Sequence, residues 1–207
     1  MTTKLTPAYA AVMTATAPVV RLWGRMDVQG LEHLPERGPV LLAANHDSYW
    51  DPIAIGMAAR PVRQIHALAK SSLWKNKALA RVLDGMGQIP IERGKGDAQA
   101  LTRAIEGLRS GMCIGVFPEG TRSLGRPLRA RSGFGRLAEA VPEAEIVCCT
   151  VVGTAELSAF PKRPRVRVRF FRPSGGGLQP DETPGALGVR LLDEIRREAP
   201  VVGGKAE

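Results

Sequence analysis

The sequence of 207 residues contains few cysteines, and the positions of the three argue against a metal site or a disulfide. Cys113, Cys148 and Cys149 lie in apolar runs typical of buried strands, and none has the spacing of a metal ligand. An odd number of cysteines in core positions fits a reducing cytoplasm, so we predict buried free thiols. We expect no metal and no cofactor.

Long apolar runs are also absent. No stretch of about 18 uncharged apolar residues occurs, so the sequence predicts no membrane-spanning helix. Within an N-terminal segment of residues 1–27, which does not resemble a signal peptide, residues 7–24 are expected to form an amphipathic helix. This helix either lies on a bilayer surface with Leu22 and Trp23 as anchors, or packs against the domain. We expect residues 28–200 to form a single domain and 201–207 a frayed tail.

Acidic residues are scarce relative to basic ones. The chain has 20 Asp and Glu against 29 Lys and Arg, which gives a net charge of +9 and a pI near 10.1. This charge favours an anionic partner: a phosphate, a coenzyme, an anionic lipid or a nucleic acid. Residues 165–170 alternate arginine with apolar side chains, as in a half-buried strand. Their arginines face either anionic lipid or coenzyme phosphates, or they form the solvated face of an edge strand.

Aromatic side chains make up only 5% of the chain, which weakens one function that the charge allows. Binding modules for single-stranded nucleic acid interleave exposed aromatic side chains with basic ones. Around the arginine-rich segment the only aromatic pair is Phe170 and Phe171. A basic nucleic-acid-binding module is therefore the weaker hypothesis, and we expect no nucleic-acid partner.

Short apolar runs alternate with helical patterns, and no internal repeat is present. The strand-like runs are at 28–30, 40–44, 64–69, 88–91, 112–117 and 146–152, and the helical stretches at 52–59, within 71–83, 98–108, 133–141 and 183–198. This alternation predicts an α/β fold with a mostly parallel central sheet flanked by helices. Ligands of such sheets bind at the carboxyl ends of the strands. His46, Lys70, Arg93 and Glu119 each follow a strand, so we expect them to converge on one edge.

A histidine and an aspartate five residues apart stand out in the segment Asn45-His46-Asp47-Ser48-Tyr49-Trp50-Asp51. Residues 39–44 before it predict a buried strand, and Asp51-Pro52 predicts a helix start with Asp51 as the N-cap. This arrangement lets the carboxylate face the imidazole across a tight loop. A carboxylate bonded to one ring nitrogen leaves the other nitrogen free to accept a proton.

A second candidate functional segment is Phe117-Pro118-Glu119-Gly120-Thr121-Arg122-Ser123, which also follows a strand. Gly120 permits close approach of the backbone to a ligand, and the guanidinium of Arg122 can contact two oxygens of a phosphate. From position 120 to 138 there are five arginines and no carboxylate. The loop therefore suits a phosphate monoester, and a glycine-containing turn with a surface ion pair is the alternative.

At these two segments the chain resembles the glycerolipid acyltransferases. Asn45-His46 with Asp51 resembles their NHxxxxD motif, and residues 117–123 match their FPEGTRS motif in full. Residues 87–93 resemble their GxxFxxR segment, and Ala69-Lys70 followed by Leu73 resembles their AKxxL stretch. The resemblance covers roughly residues 28–154, and within the family the branch of 1-acylglycerol-3-phosphate acyltransferases is the most similar.

The resemblance implies transfer of a fatty acyl group from acyl-CoA or acyl-carrier protein to the hydroxyl of 1-acylglycerol 3-phosphate, giving phosphatidic acid. It implies that His46 is the general base, that Asp51 orients its imidazole, and that no acyl-enzyme forms. Arg93, Glu119, Gly120 and Arg122 would bind the phosphate-bearing acceptor.

The resemblance leaves some roles and properties open. Thr121 belongs to the same loop, and Lys70 is a candidate phosphate contact or an ordinary surface lysine. Another acceptor, such as glycerol 3-phosphate, a different lysophospholipid or a glycolipid, remains an alternative. We expect a peripheral enzyme on the cytoplasmic face of the cell membrane, with an anionic membrane surface as partner. No Gly-x-Ser-x-Gly elbow is present, which argues against a serine esterase.

Two departures from the family pattern bear on acceptor and acyl-chain specificity. Val147-Cys148-Cys149 stands where the family usually has V-P-V, and Pro90 replaces an aromatic or aliphatic residue. Because proline cannot donate a hydrogen bond to a neighbouring strand, Pro90 predicts an edge or bulged strand.

Overall fold

The computed structural model describes residues 5–92, 97–159, 161 and 163–201. The strands are β1 (Asp27–Gln29), β2 (Val40–Ala44), β3 (Ile65–Lys70), β4 (Ile89–Ile91), β5 (Cys113–Val116), β6 (Glu145–Val152) and β7 (Arg167–Phe171). The α-helices are α1 (Pro7–Ala17), α2 (Asp51–Ala59), α3 (Lys77–Gly85), α4 (Ala98–Arg109), α5 (Gly133–Ala140) and α6 (Pro184–Glu198). A π-helical turn (Pro18–Trp23) and short 3-10 turns, among them Ser71–Lys75 and Ala155–Ser158, connect them.

The strands form one seven-stranded sheet in the order β1-β7-β6-β2-β5-β3-β4. The five strands from β6 to β4 run parallel to one another, whereas β7 is antiparallel to β6 and parallel to β1. The prediction of a mostly parallel α/β sheet with an N-terminal helix is confirmed. Because β1 and β7 run opposite to the rest, their amino ends lie at the edge where the other strands end.

The core has two layers, one on each face of the sheet. α1 and α2 cover one face, where Tyr9 and Met57 pack against Val40, Leu42 and Ala44. The other face is covered by α4, α5 and α6. Leucines of these helices pack against the strand side chains that point to this second face. All five residues of β2 are buried, because this central strand is covered on both faces and paired on both sides.

The N-terminal helix packs against the domain. Tyr9, Met13 and Val20 are buried, and the Tyr9 hydroxyl donates to the carbonyl of Gly56 at 3.0 Å. Leu22, by contrast, is 70% exposed at the end of this segment. Among the described residues, no helix is both long enough and apolar enough to cross a bilayer. The predicted tail from residue 202 onward lies outside the described residues.

The interpretation of the arginine-rich strand as a sheet edge is wrong. β7 lies between β1 and β6, so both of its backbone edges are paired. Two arginines of the segment form ion pairs: Arg169 of β7 bonds Glu198 at 2.7 Å, and Arg165, two residues before β7, lies 3.7 Å from Asp27. The opposite edge is β4, which carries Pro90, so the edge prediction for that proline is confirmed.

The three cysteines are buried and free, as predicted. Burial raises the pKa of Cys113 and of Cys148 to about 12, and that of Cys149 well above its ordinary value.

Candidate active site

The imidazole of His46 and the carboxylate of Asp51 are in direct contact at the carboxyl end of β2. The Nδ1 atom of His46 lies 3.0 Å from Oδ2 of Asp51, and both side chains are buried. The predicted pairing across the loop is therefore confirmed. With Nδ1 on the carboxylate, the imidazole holds its proton there, and Nε2 is the nitrogen that can accept another.

Both oxygens of the Asp51 carboxylate accept hydrogen bonds. Oδ2 also accepts hydrogen bonds from the backbone amides of Asp47 at 2.6 Å and Ser48 at 2.7 Å, and Oδ1 accepts from the hydroxyl of Thr154. Asp51 was predicted to be the N-cap, but it is the first residue of α2, and Trp50 takes the cap position. The prediction failed by one residue because the carboxylate bonds the preceding loop and not the amides of its own helix.

The ring of His46 is stacked on the ring of Phe117, with 4.1 Å between centroids and 14° between planes. Phe117 directly follows β5, the strand beside β2. The stacking and the bond to Asp51 together fix the orientation of the imidazole. Among the described residues no hydrogen-bond partner is recorded for Nε2 of His46, which remains available to a substrate.

Backbone and side-chain hydrogen bonds join the two motif-bearing loops. The amide of His46 donates to Oε2 of Glu119 at 2.7 Å, and the amide of Ser123 donates to the carbonyl of His46 at 2.8 Å. The hydroxyl of Ser123 donates to the carboxylate of Asp47. The loop after β2 and the loop after β5 are thus one hydrogen-bonded unit.

Asn45 connects this unit to β6. Its side chain is fully buried, and its amide group donates to the carbonyl of Val151 at 2.7 Å while its Oδ1 accepts from the amide of Val151 at 2.9 Å. The same NH2 group donates to Asp47 at 2.9 Å. An asparagine can make this exchange with a strand backbone because it carries both a donor and an acceptor.

Arg196, in the last turn of α6, donates hydrogen bonds to both loops. Its NH1 and NH2 groups donate to the two oxygens of Asp47 at 2.9 and 2.8 Å, and its Nε donates to Oε1 of Glu119 at 3.2 Å. NH1 also donates to the carbonyl of Ala199 at 3.1 Å. One guanidinium thus bonds two carboxylates of the joined loops.

The two carboxylates respond differently to this environment. Burial acts to raise the pKa of Asp47, but hydrogen bonds from Arg196 and Ser123 outweigh it and hold the pKa below its ordinary value. For Glu119, which is only 2% exposed, burial dominates over the bonds from Arg196 and raises the pKa. Arg196 itself has a raised pKa because, despite its burial, both carboxylates stabilise its charge.

A family model described as Acyltransferase matches residues 25–152, which include both motif-bearing loops. This chain belongs to the Acyltransferase family. Within the family, it is 30% identical over 115 residues to the 1-acyl-sn-glycerol-3-phosphate acyltransferase of Bacillus subtilis (strain 168), covering 56% of this chain and 57% of the relative. It is also 30% identical over 185 residues to 1-acyl-sn-glycerol-3-phosphate acyltransferase alpha of Mus musculus, covering 83% and 61%.

A solved structure of a family relative has the same fold. The 1-acyl-sn-glycerophosphate (LPA) acyltransferase PlsC from Thermotoga maritima superimposes with a TM-score of 0.68 at 20% identity, covering 92% of this chain and 78% of that one. The chain spans only about three fifths of the length of the two curated relatives above.

The other predicted site residues differ in their surroundings. Gly120 has a φ of +71°, which favours glycine, and an added Cβ would lie 3.1 Å from Arg131. Thr121 is exposed, and the guanidinium of Arg122 stacks over the ring of Tyr49 at 3.5 Å. Lys70 is exposed at the end of β3, which β5 separates from β2. Arg93 lies outside the described residues.

The sequence interpretation missed three residues that contact the site. Arg196 and Thr154 lie 149 and 103 positions from their partners Asp47 and Asp51, so no local pattern links them. Asp47 was passed over inside the motif, although a carboxylate beside a candidate base is a detectable signal. The roles of Thr154 and Arg196 could be found only from the folded chain.

Proposed function

We propose that this protein is an acyltransferase that moves a fatty acyl group from acyl-CoA or acyl-carrier protein to the hydroxyl of 1-acylglycerol 3-phosphate, giving phosphatidic acid. The observation that carries the proposal is the buried His46–Asp51 pair at the carboxyl end of β2. The activity for which its two relatives in the Acyltransferase family are named, 1-acyl-sn-glycerol-3-phosphate acyltransferase, supports this choice of acceptor.

The proposed chemistry uses Nε2 of His46 as the base. Nε2 removes the proton of the acceptor hydroxyl while the oxygen attacks the thioester carbonyl carbon. Asp51, bonded to Nδ1, stabilises the imidazolium that forms. The tetrahedral intermediate then collapses, the C–S bond breaks, and the imidazolium returns its proton to the departing thiolate. A thioester is already activated, so a positioned base and a bound acceptor suffice, and no acyl-enzyme is required.

The proposed phosphate site is the loop after β5. Arg122 and the backbone of Gly120, with Arg93 and Lys70 as further contacts, would hold the phosphate of the acceptor. Glu119, which the sequence placed in this group, has a carboxylate bonded to Arg196 and to the amide of His46. We therefore assign it to positioning the two loops, and we keep Thr121 as a rim residue that faces solvent.

The test is thioester consumption by the purified chain in the presence and absence of 1-acylglycerol 3-phosphate. We expect acceptor-dependent turnover that falls by about 10²- to 10⁴-fold in His46→Ala, the range for losing a general base. His33→Ala is the matched control, because that histidine is partly exposed in a turn away from the pair. Full activity of His46→Ala with a normal melting curve would refute the mechanism.

The identity of the acceptor is tested in the same assay. Glycerol 3-phosphate, other lysophospholipids and a glycolipid replace 1-acylglycerol 3-phosphate one at a time. We expect the highest kcat/KM with 1-acylglycerol 3-phosphate. A higher value with another acceptor would retain the chemistry and replace the substrate.

We also propose that the enzyme is peripheral, on the cytoplasmic face of the cell membrane, with an anionic membrane surface as its partner. The high net charge and the exposed Leu22 support this location. Salt or detergent is expected to release the protein from isolated membranes. Retention through both salt and carbonate washes would count against peripheral attachment.

A further inference from the structure

α3 and the 3-10 turn that precedes it carry exposed apolar side chains on one side. We call Leu73, Leu79 and Val82 the α3 face. Their exposed fractions are 39%, 38% and 39%. Leu79, Val82 and Leu83 have the i, i+3, i+4 spacing that normally marks the buried stripe of an amphipathic helix. The sequence of α3 is therefore that of a helix with an apolar partner.

The described part of the chain does not supply that partner. α2, α4, α5 and α6 each bury four or more residues, whereas no residue of α3 is buried by the residues that the structure describes. The carboxyl end of α3 is anchored: an added Cβ on Gly85 would lie 2.8 Å from Ala8 of α1, and Met86 is buried in the core. The described residues leave Leu79 and Val82 partly exposed.

Basic residues are frequent in the segment that carries the α3 face. Lys70, Lys75, Lys77 and Arg81 lie in the same segment of 16 residues, against one acid, Asp84. The carboxylate of Asp84 accepts a hydrogen bond from the indole of Trp74 at 2.7 Å. Lys77 and Arg81 lie on the side of α3 away from Leu79 and Val82, whereas Lys70 and Lys75 flank Leu73 in the chain. Exposed apolar side chains in a basic segment match an anionic bilayer surface, whose headgroups attract the cations and whose acyl boundary accepts the leucines.

The position of this segment in the fold connects it with the candidate site. The 3-10 turn begins at the carboxyl end of β3, on the same edge of the sheet as His46. Leu22, Tyr49 and Leu124, which are 70%, 74% and 65% exposed, belong to segments at that edge. A bilayer that contacts the α3 face would therefore meet the side of the molecule where the base is.

We propose that the α3 face is a docking surface for an anionic lipid bilayer. This inference rests on the proposed function in one respect, namely that a lipid acceptor is delivered from the surface where the enzyme docks. It names the segment by which the enzyme would bind that surface. Burial of Leu79 and Val82 at the acyl boundary and approach of Lys70 and Lys75 to lipid phosphates supply the binding free energy.

The test is flotation of the full chain with vesicles of phosphatidylcholine alone or mixed with phosphatidylglycerol, without donor or acceptor. We expect binding to the anionic vesicles. Lys70→Gln with Lys75→Gln, two exposed lysines of the same segment, should weaken it by about fivefold for each charge removed. Leu79→Gln with Val82→Gln should weaken it by about fivefold for each side chain, since roughly two fifths of each becomes buried on docking.

Matched controls lie on the opposite face of the sheet. Val189→Gln changes an exposed apolar residue of α6, and Arg103→Gln with Arg136→Gln removes two exposed charges from α4 and α5. These variants should float like the wild type. The inference is overturned if the wild type does not float with anionic vesicles, if the Leu79 and Val82 variant floats as well as the wild type, or if the controls weaken flotation equally.

The outcome can be separated from the proposed function. His46→Ala should still float, because flotation needs no chemistry. Flotation that depends on the α3 face without any acyltransferase activity would support the docking surface and refute the proposed reaction. Acceptor-dependent activity with no lipid binding would support the proposed reaction and refute the docking surface.

Discussion

Replacement of Arg196 by alanine should destabilise the fold and disturb the candidate site at the same time. The side chain bonds both oxygens of Asp47 at 2.9 and 2.8 Å and also bonds Glu119, whose carboxylate is fully buried. Removing the guanidinium leaves two carboxylates beside each other without their cation. Glu119 would still bond the amide of His46, so any displacement of its carboxylate is passed directly to the histidine loop.

The size of the effect follows from burial. Breaking a buried ion pair by removing one partner costs about 3–5 kcal/mol. We expect the lower end, about 3 kcal/mol, for two reasons. The side chains of Arg196 and Asp47 are 14% and 24% exposed, so solvent screens part of the interaction. Glu119 can also take up a proton, because burial already raises its pKa. For a chain of this length the loss corresponds to a drop in Tm of about 6–12 °C.

The assay is urea unfolding of Arg196→Ala beside Arg197→Ala, which removes the exposed neighbouring arginine of the same helix turn. The control should change the free energy of unfolding by less than about 0.5 kcal/mol. Arg196→Lys, which keeps the charge but not the planar fork, should recover part of the stability. In the double variant Arg196→Ala with Glu119→Gln, the two losses in free energy of unfolding should not add. The reason is that the neutral side-chain amide introduced by Glu119→Gln does not need a neighbouring cation. A loss below about 1 kcal/mol, or additive losses, would refute this account.

Three further outcomes follow from the same contacts. Thr154→Val removes the hydroxyl that bonds Asp51 and should lower kcat/KM by about tenfold, the effect of one hydrogen bond to a charged group, with recovery in Thr154→Ser; equal kcat/KM for all three forms would contradict this. The pKa of Asp47 is held below its ordinary value of 3.8, so its stabilisation is complete above that pH and lost below it. Acid titration of the free energy of unfolding should therefore be steeper for the wild type than for Asp47→Asn, and parallel curves would contradict it. Because all three cysteines are buried with raised pKa values, a thiol reagent at neutral pH should modify them only after unfolding; rapid labelling of the native protein would show otherwise.

The fold class could be predicted because its signal is local. Apolar runs of strand length alternate with helical patterns, and Asp97 and Thr183 accept hydrogen bonds from the amides that begin α4 and α6. The neighbours of each strand carry no such signal. An edge position was one of the two alternatives for the alternating arginines of β7, but β1, only three residues long, pairs with the outer side of β7. A pairing between residues 27 and 167 depends on how the whole chain folds, and neither segment encodes it.

The candidate site likewise has a part that local sequence predicts and a part that it does not. His46 and Asp51 are five residues apart, so the turn that joins them could be inferred from sequence. The contact between the loops after β2 and β5 could be expected from the rule that ligand sites gather at strand ends. The residue that holds those loops together could not, because Arg196 belongs to a helix that packs mainly against α5 and the sheet. Glu119 is an example: its place in a motif suggested contact with substrate, and its carboxylate bonds Arg196 and the amide of His46.

The arrangement around Asp51 explains why so many polar groups are buried at this edge. The carboxylate is fully buried, and its bonds come from the consecutive loop residues His46, Asp47 and Ser48 and from Thr154, two residues after β6. A buried carboxylate without such donors would be costly, so the loop can close around it only in the conformation that aims both backbone amides at Oδ2. That conformation also brings Nδ1 of His46 to the same oxygen. The geometry a base requires is thus enforced by satisfying one buried charge, and loss of any single donor should loosen the imidazole before it unfolds the domain.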